Sequence, residues 1–498
     1  MGIVIRQSIK GTVITYIGAF IGFITTMFVV TRFLKPEDIG LTKVILEAGM
    51  MFATLAQLGT SASAMRFFPY FKNEKTKHNG FFFYLLVLPL IGCLIFIPLY
   101  LLLRQPVTLF FAEKSALFIS YYYWIVPLIF FIVYVAVFET YSNINMRIAM
   151  PKLNREVIVR LLLMAVYLLY GNHIISRDGL VAGVVITYGL ALLVLLAYIY
   201  KTSVTSLRHN PSFVSKPLRK DIARYTAFLI IGALGGTILN RLDLFMISSQ
   251  LGLSHAGIFS IAFYMAAIID IPSRSITSIS SPLAANALKE ADFETANALY
   301  KKVSLHQLMI GGLIFIFVWT NIDNIFAIIP NGAVYAEGKW VVFFIGIAKL
   351  IEITLGFGGI LISFSRYYYW SLYFTFFIIA IGVLTNAFFI PLFGIAGAAI
   401  ATTISCLLSY GAQQWIVLKK VKGNPYSLGT LKLILIFLLL IGLNAFWFTL
   451  ANPWLDGFCR TLFLALAGAA LLYIAKVSDD VQRTLKVIAV KLKIRRKM

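Results

Sequence analysis

Repeated apolar runs of about 20 residues are the feature that most restricts how this chain can fold. A helix of that length crosses the hydrocarbon core of a bilayer and satisfies its own backbone hydrogen bonds there. The alternating strands that an outer-membrane barrel requires are absent from the sequence. We therefore predict an all-α polytopic membrane protein with about 14 transmembrane helices, numbered as spans 1 to 14: 11–32, 40–65, 81–103, 117–141, 154–175, 180–200, 224–247, 255–279, 303–322, 340–363, 367–390, 395–418, 431–450 and 456–475.

The composition excludes an ordinary soluble protein. Of the 498 residues, 60% are hydrophobic and 13% are charged, whereas a soluble protein is about half apolar and about a quarter charged. The loops between the runs are short, and the sequence has no GxxxxGKS or GxxxxGKT motif of an ATP-hydrolysing motor. Energy for work in the membrane must therefore come from a gradient, and coupling to H+ or to Na+ stays open.

The positions of the basic residues set the predicted orientation. Most of the 43 Lys and Arg residues lie in alternate loops and in the C-terminal tail. Because basic loops stay on the cytoplasmic side, we predict a multi-pass protein of the bacterial inner membrane with both termini in the cytoplasm. Topology and anionic membrane lipids explain the net charge of +23 more simply than nucleic acid does. We expect anionic lipids as partners and no nucleic acid.

Two internal matches predict two related halves. Leu34 and Gly40, between spans 1 and 2, match Leu251 and Gly257, between spans 7 and 8, and a glycine-rich stretch at 179–183 matches one at 394–398 at nearly the same offset. We predict two bundles related as parallel repeats, as in some transporters, followed by a helix pair and a tail. The ranges are 1–217 (six-helix bundle), 218–425 (six-helix bundle), 426–476 (helices 13 and 14) and 477–498 (basic cytoplasmic tail). Mixed polar and apolar residues at 283–302 predict a surface helix.

Acidic and basic residues within the spans are the candidate functional residues, since each costs roughly 2.5–3.5 kcal/mol to insert at mid-membrane. In span 8, Asp270 and Arg274 are four residues apart, and in span 10, Lys349 and Glu352 are three apart. Both spacings place the two side chains on one helix face.

Two further spans carry such residues. Glu156 and Arg160 of span 5 are again four residues apart, whereas Arg241 and Asp243 of span 7 are two apart and point to different sides. The acid–base pairs of spans 5, 8 and 10 therefore have two interpretations. They neutralise each other between packed helices, or they face a polar cavity.

Cations inside the spans are candidates to line a polar cavity and bind an anionic group, and Arg in particular binds phosphate oxygens in a planar, bidentate geometry. The candidates for binding an anionic substrate are Arg274, Lys349, Arg241 and Arg160. The candidates for balancing charge, or for taking up a proton or a sodium ion, are Glu47, Glu139, Asp270 and Glu352.

No arrangement of catalytic residues is visible. The five histidines lie far apart, the three cysteines have no paired spacing, and neither HExxH nor GxSxG occurs. We predict no enzyme activity, no metal site and no cofactor. The enzymatic alternative, a membrane-embedded glycan polymerase or ligase, generally needs a large outer loop, and the predicted outer loops are short.

Two junction sequences carry a family resemblance. The turn Leu34–Leu41 and the stretch from Pro391 to Thr402, P-x-x-G-x-x-G-A-A-x-A-T, resemble those of the polysaccharide flippases in the multidrug/oligosaccharidyl-lipid/polysaccharide exporter (MOP) superfamily. Length, helix number and basic loops are similar over the whole chain. The peptidoglycan-precursor flippases fit less well, because their first helix is arginine-rich and span 1 has no charge between Lys10 and Arg32.

The resemblance implies a function. A polysaccharide flippase moves an undecaprenyl-pyrophosphate-linked oligosaccharide to the outer leaflet by alternating access, during O-antigen, lipopolysaccharide or capsule synthesis. Other polysaccharide-assembly membrane proteins are the further partners that it implies. The alternative within the superfamily is a cation-coupled multidrug antiporter, although those usually have twelve helices and an acidic cluster.

Overall fold

A computed structural model describes residues 2–73, 75–203, 205–208, 213–226, 241–478 and 482, with only the backbone for 2–9. All regular structure in these residues is helical, which confirms the predicted fold class. Eleven segments are long and apolar enough to cross a membrane: Lys10–Phe33, Pro36–Phe71, Lys77–Leu102, Tyr122–Ile144, Arg177–Thr202, Leu253–Lys289, Phe293–Thr320, Gly332–Phe364, Trp370–Val421, Leu428–Ala445 and Pro453–Ala475.

The other predicted spans are accounted for in three ways. Trp370–Val421 is 52 residues long and contains both span 11 and span 12. Span 5 is helical as far as Gly171, and its charged residues make it less apolar than the eleven segments above. Most of span 7, residues 227–240, lies outside the described residues. The described part of the chain thus agrees with about 14 spans.

The first compact unit comprises Met1–Ser260. A proline begins the helix of span 2, with two acidic residues in its first turn, as favours a helix N-terminus. The helices that begin in this unit are Gly2–Ile24, Thr25–Val30, Thr31–Phe33, Pro36–Ala56, Thr60–Phe71, Lys77–Gly80, Phe81–Leu102, Arg104–Phe111, Ala116–Ser120, Tyr122–Trp124, Ile125–Ile144, Ala149–Leu153, Asn154–Ile158, Val159–Gly171, Arg177–Thr202, residues 216–226, Leu242–Gln250 and Leu253–Ala267.

The second compact unit comprises Ile261–Met498. Its largest apolar core joins Phe315 and Ile316 of span 9 to Leu433 and Leu440 of span 13, so the C-terminal helix pair packs on this unit. The helices are Ile268–Asp270, Ile271–Lys289, Phe293–Thr320, Ile322–Ile328, Gly332–Tyr335, Ala336–Gly338, Lys339–Leu355, Phe357–Phe364, Trp370–Ile416, Val417–Val421, Leu428–Ala445 and Pro453–Ala475.

Two glycines that the internal match pairs lie against each other in the first unit. A Cβ on Gly40 would lie 1.8 Å from the carbonyl oxygen of Leu253, and a Cβ on Gly257 would lie 2.0 Å from that of Pro36. Small residues permit such a close approach of two helices. The boundaries at 217, 425 and 476 stay a prediction, and the tail beyond 478 lies outside the described residues except for 482.

The junction of spans 11 and 12 is a break at one glycine. Gly394 has φ 60° and ψ −137°, and it lies three residues after Pro391, which cannot donate a helix hydrogen bond. Glycine adopts such a backbone conformation without a steric penalty, whereas other residues are strained there. The P-x-x-G sequence therefore marks the place where one span ends and the next begins.

Replacing Gly394 with alanine is expected to lower the free energy of unfolding by about 1–3 kcal/mol, through backbone strain. A Cβ there meets no atom within 4 Å, so crowding contributes nothing. Gly411→Ala is the matched control, because its Cβ is equally free and alanine is favoured by about 1 kcal/mol inside a helix. Thermal unfolding of the purified protein in detergent measures both; equal midpoints for G394A and the wild type would contradict the strain.

The predicted surface helix at 283–302 is wrong. Ile271–Lys289 is the continuous end of span 8, and a new helix begins at Phe293. Asp292 caps that helix by accepting a 2.9 Å hydrogen bond from the backbone N–H of Thr295. Hydrogen bonds from Thr295 hold the pKa of the Asp292 carboxyl below its usual value. The polar residues of this segment therefore belong to a turn between two long helices.

Fully buried aspartates tie helix ends together in each unit. Asp38 forms an ion pair with Arg177, whose Nε lies 2.8 Å from the carboxylate, and it accepts a 2.9 Å hydrogen bond from the hydroxyl of Tyr170. These contacts join the ends of spans 2, 5 and 6. In the second unit, Asp456 pairs with Arg460 at 2.8 Å and accepts a hydrogen bond from the indole of Trp447. Breaking such a buried pair costs about 3–5 kcal/mol, so these groups hold the fold together.

Candidate functional site

Ionisable side chains within the spans of the first unit form a connected group, here named the first-unit charge cluster. The Nε atom of Arg241 lies 2.6 Å from Oε2 of Glu47, and their side chains are 16% and 32% exposed. This ion pair joins spans 2 and 7. The full cluster consists of Lys43, Glu47, Glu139, Arg155, Glu156, Arg160 and Arg241.

Span 5 supplies the centre of the cluster. Arg160 pairs with Glu156 at 2.8 Å, as their spacing predicts, and its other terminal nitrogen donates a 2.8 Å hydrogen bond to the carbonyl oxygen of Gly18 in span 1. Arg155 lies 3.3 Å from Glu156 and 3.3 Å from Glu139 of span 4. A wider helical turn at Asn154–Ile158 carries these residues, a local feature frequent at functional sites.

Sequence reasoning missed Lys43 and Arg155 as site residues and took Glu156 only as the partner of Arg160. Lys43 is the more informative omission. It lies one helical turn before Glu47 and interacts electrostatically with Glu47 and with Arg160. The carboxylate of Glu47 is engaged by Arg241, and no ion pair of Lys43 forms among the described residues. The four-residue spacing from Glu47 was the available signal. Tyr188 of span 6 lies near the same two charged neighbours, Glu47 and Arg160.

A second-unit charge cluster lies on spans 8 and 10. Lys349 Nζ is 2.7 Å from Glu352 Oε2, with the lysine side chain 19% exposed. Arg274 is 3.2 Å from Asp270 and is 73% exposed. Both predicted pairs therefore form. Asp270 also accepts a 2.6 Å hydrogen bond from Ser273 and interacts electrostatically with Lys349, which links the pairs. The cluster consists of Asp270, Arg274, Lys349 and Glu352.

The two clusters differ in charge balance. Among the members named, the second-unit cluster has two cations and two acids, whereas the first-unit cluster has four cations and three acids, with Lys43 as its cation without an ion pair; Asp243, two residues from Arg241, is not one of these members. An uncompensated cation in a membrane is costly and usually marks a functional site. The first-unit charge cluster is thus suited to an anion, and whether any of these residues contacts a substrate stays a prediction.

Metal binding has no visible basis in the described part of the chain, where no three His, Cys, Asp or Glu side chains come together to hold an ion. Cys93, Cys406 and Cys459 form no disulfide in the described part of the chain. The acids of both charge clusters are paired with Arg or Lys instead.

Comparison with known proteins identifies a family. The family described as polysaccharide biosynthesis protein matches residues 4–286, more than half of the chain. No protein among those with curated functions matches the sequence.

Solved structures with a similar fold include a lipid flippase and multidrug transporters. The lipid II flippase MurJ, in an inward-closed conformation, has a TM-score of 0.74 at 13% identity, with 94% of this chain and 100% of that chain covered. An inward-facing MATE family multidrug resistance transporter of the MOP superfamily has a TM-score of 0.63 at 13% identity, with 80% of this chain and 94% of that chain covered. The Vibrio cholerae MATE transporter VcmN has a TM-score of 0.57 at 12% identity, with 85% of this chain and 98% of that chain covered. At these identities the likeness shows a shared fold.

Proposed function

Because this chain belongs to the polysaccharide biosynthesis protein family, we propose that it is a flippase for a lipid-linked oligosaccharide in surface polysaccharide synthesis. The substrate is a glycan joined through pyrophosphate to a polyprenyl lipid, carried from the cytoplasmic to the outer leaflet of the bacterial inner membrane. The product serves O-antigen, lipopolysaccharide or capsule assembly. The chain moves its substrate without a chemical step, and both of its termini are cytoplasmic.

The excess cation of the first-unit charge cluster carries this proposal. Pyrophosphate is the charged part of such a substrate, and it must leave water to cross the bilayer. Charged hydrogen bonds to phosphate oxygens are about twice as strong as neutral ones. Lys43, Arg160 and Arg241 lie on three spans of one unit, and they offer such bonds at membrane depth.

Movement requires that the site face one leaflet and then the other, by alternating access. The Arg241–Glu47 ion pair joins two spans, so its opening and closing is a means of coupling binding to helix movement. The coupling ion, H+ or Na+, stays a prediction.

A cation-coupled multidrug antiporter is less consistent with the same residues. Such a transporter needs an acid available to its cationic substrate. Here Glu47 and Glu139, the two candidate acids of the first unit, each have an arginine partner. Arginine competes with an organic cation at both positions. The shared fold with MATE transporters does not distinguish the two functions.

Deletion of the coding sequence in the native host tests the proposal. Surface polysaccharide is analysed on gels, and lipid-linked intermediates are extracted and assayed for their leaflet. We expect loss of surface glycan, with polyprenyl-linked repeat units retained on the cytoplasmic face, and restoration by the wild-type chain. Normal glycan together with increased sensitivity to cationic drugs would replace the flippase with the antiporter.

A further inference from the structure

An apolar cavity of about 570 Å³ lies in the first unit. Its volume is within the range of roughly 300–1,000 Å³ that is typical of ligand pockets. Most of its lining comes from three helices, Thr60–Phe71, Phe81–Leu102 and the helix that begins at residue 216, and Leu58 and Val214 complete it. None of its lining residues belongs to the first-unit charge cluster, so it is a separate feature of the same unit.

The lining offers little to a polar ligand. The hydroxyls of Ser63 and Thr226 are 2.8 Å apart and satisfy each other. The hydroxyl of Thr60 donates to the carbonyl oxygen of Gln57. Aromatic and aliphatic side chains, such as Phe67 and Leu85, form most of the remaining wall. The interior therefore suits a hydrocarbon chain and does not suit a sugar.

One arginine gives the lining of this cavity a positive charge. Arg219 is the charged residue of the lining, and it is exposed. Arg66 does not line the cavity; its guanidinium is 4.2 Å from the ring centroid of Tyr225, on the same helix as Arg219. Arg219 has no carboxylate partner among the described residues. An apolar space with a cationic rim is complementary to a lipid that carries a phosphate.

The described part of the helix that begins at residue 216 turns one face to the cavity. Arg219, Ile222, Ala223 and Thr226 line the cavity at a spacing of three and four residues, which places them on one helix face. Lys216 and Lys220 are exposed and do not line it. Positive charge therefore lies beside an apolar space at this helix.

We propose that this cavity binds one anionic glycerophospholipid of the cytoplasmic leaflet. One acyl chain lies between spans 2 and 3, and the phosphate is bound by Arg219. Basic pockets between transmembrane helices on the cytoplasmic side favour such lipids. The transported lipid fits less well, because most of the lining is aromatic or aliphatic and none of it belongs to the first-unit charge cluster.

Photo-crosslinking of the full-length protein tests the site. The protein is reconstituted in phosphatidylcholine vesicles with a small fraction of phosphatidylglycerol that carries a diazirine on one acyl chain. We expect adducts on the peptides that contain Phe67 and Leu85. Arg219→Gln should lower this labelling about tenfold or more, because a hydrogen bond to a charged group contributes about 1.5–3 kcal/mol.

Two variants on the same helix separate this site from general contact with lipid. Ala223→Trp places an indole in the cavity from an exposed position and should remove the labelling, whereas Asp221→Trp, which does not line the cavity, should not. Lys220→Gln is the charge control for Arg219→Gln and should leave labelling unchanged.

Three results would overturn the proposal. Equal labelling by a phosphatidylcholine probe would mean ordinary acyl contact, and unchanged labelling in R219Q would exclude the phosphate contact. Displacement of the probe by undecaprenyl phosphate, but not by excess phosphatidylglycerol, would assign the cavity to the transported lipid. None of these results bears on the first-unit charge cluster, so the proposed flippase function would stand or fall separately.

Discussion

A chain that carries both Arg274→Gln and Lys349→Gln is expected to reach the membrane at the wild-type level and to transport no lipid-linked glycan. Arg274 and Lys349 of the second-unit charge cluster are candidates for binding phosphate in addition to the cations of the first-unit charge cluster, and a hydrogen bond to a charged group contributes about 1.5–3 kcal/mol. Two lost contacts correspond to more than a hundredfold loss, which leaves no detectable surface glycan. Complementation of the deletion strain, with immunoblotting of the membrane fraction, measures transport and protein level together.

The control for this double variant must separate lost phosphate contacts from acids left without partners. Lys349 and Glu352 are 2.7 Å apart, so Lys349→Gln alone leaves an unpaired carboxylate, which is more costly than removing a pair. In the variant Lys349→Gln/Glu352→Gln the pair is absent and the charge stays balanced. Full transport by that variant would show that the pair only neutralises itself, and it would remove Lys349 from the site.

Local spacing predicted the second-unit charge cluster correctly because helix geometry is short-range. Residues three or four apart must lie on one face, so the ion pairs of Asp270 with Arg274 and of Lys349 with Glu352 follow from the sequence once the helices are assigned. The same holds for the junction at Gly394, where a proline and a glycine three residues apart limit the possible backbone.

Contacts between distant spans could not be predicted in this way. The partner of Arg241 is Glu47, which lies on a different helix in a distant part of the sequence. Asp38 and Arg177 were likewise assigned no role, although they hold three helix ends together. Such pairings depend on which helix faces are adjacent, and a single sequence with apolar residues on all sides of its helices does not specify that.

Lys43→Gln is expected to lower transport about 10- to 100-fold and to leave thermal stability unchanged or raised. The loss follows from one charged hydrogen bond to the substrate, about 1.5–3 kcal/mol. The stability follows from the charge balance, since Lys43 is the cation of the first-unit charge cluster without an ion pair among the described residues. Its removal brings the cluster to three cations and three acids.

Arg241→Gln is the informative comparison, because it should lower both transport and the unfolding temperature. It leaves Glu47 without its 2.6 Å partner, and breaking a shielded ion pair destabilises the fold as well as the site. Lys43→Arg, which keeps the charge, should retain most of the transport. If Lys43 binds the substrate, K43Q lowers transport without lowering the unfolding temperature. If K43Q instead transports normally and unfolds at a lower temperature, Lys43 is a structural partner of Glu47, and the pyrophosphate must bind elsewhere.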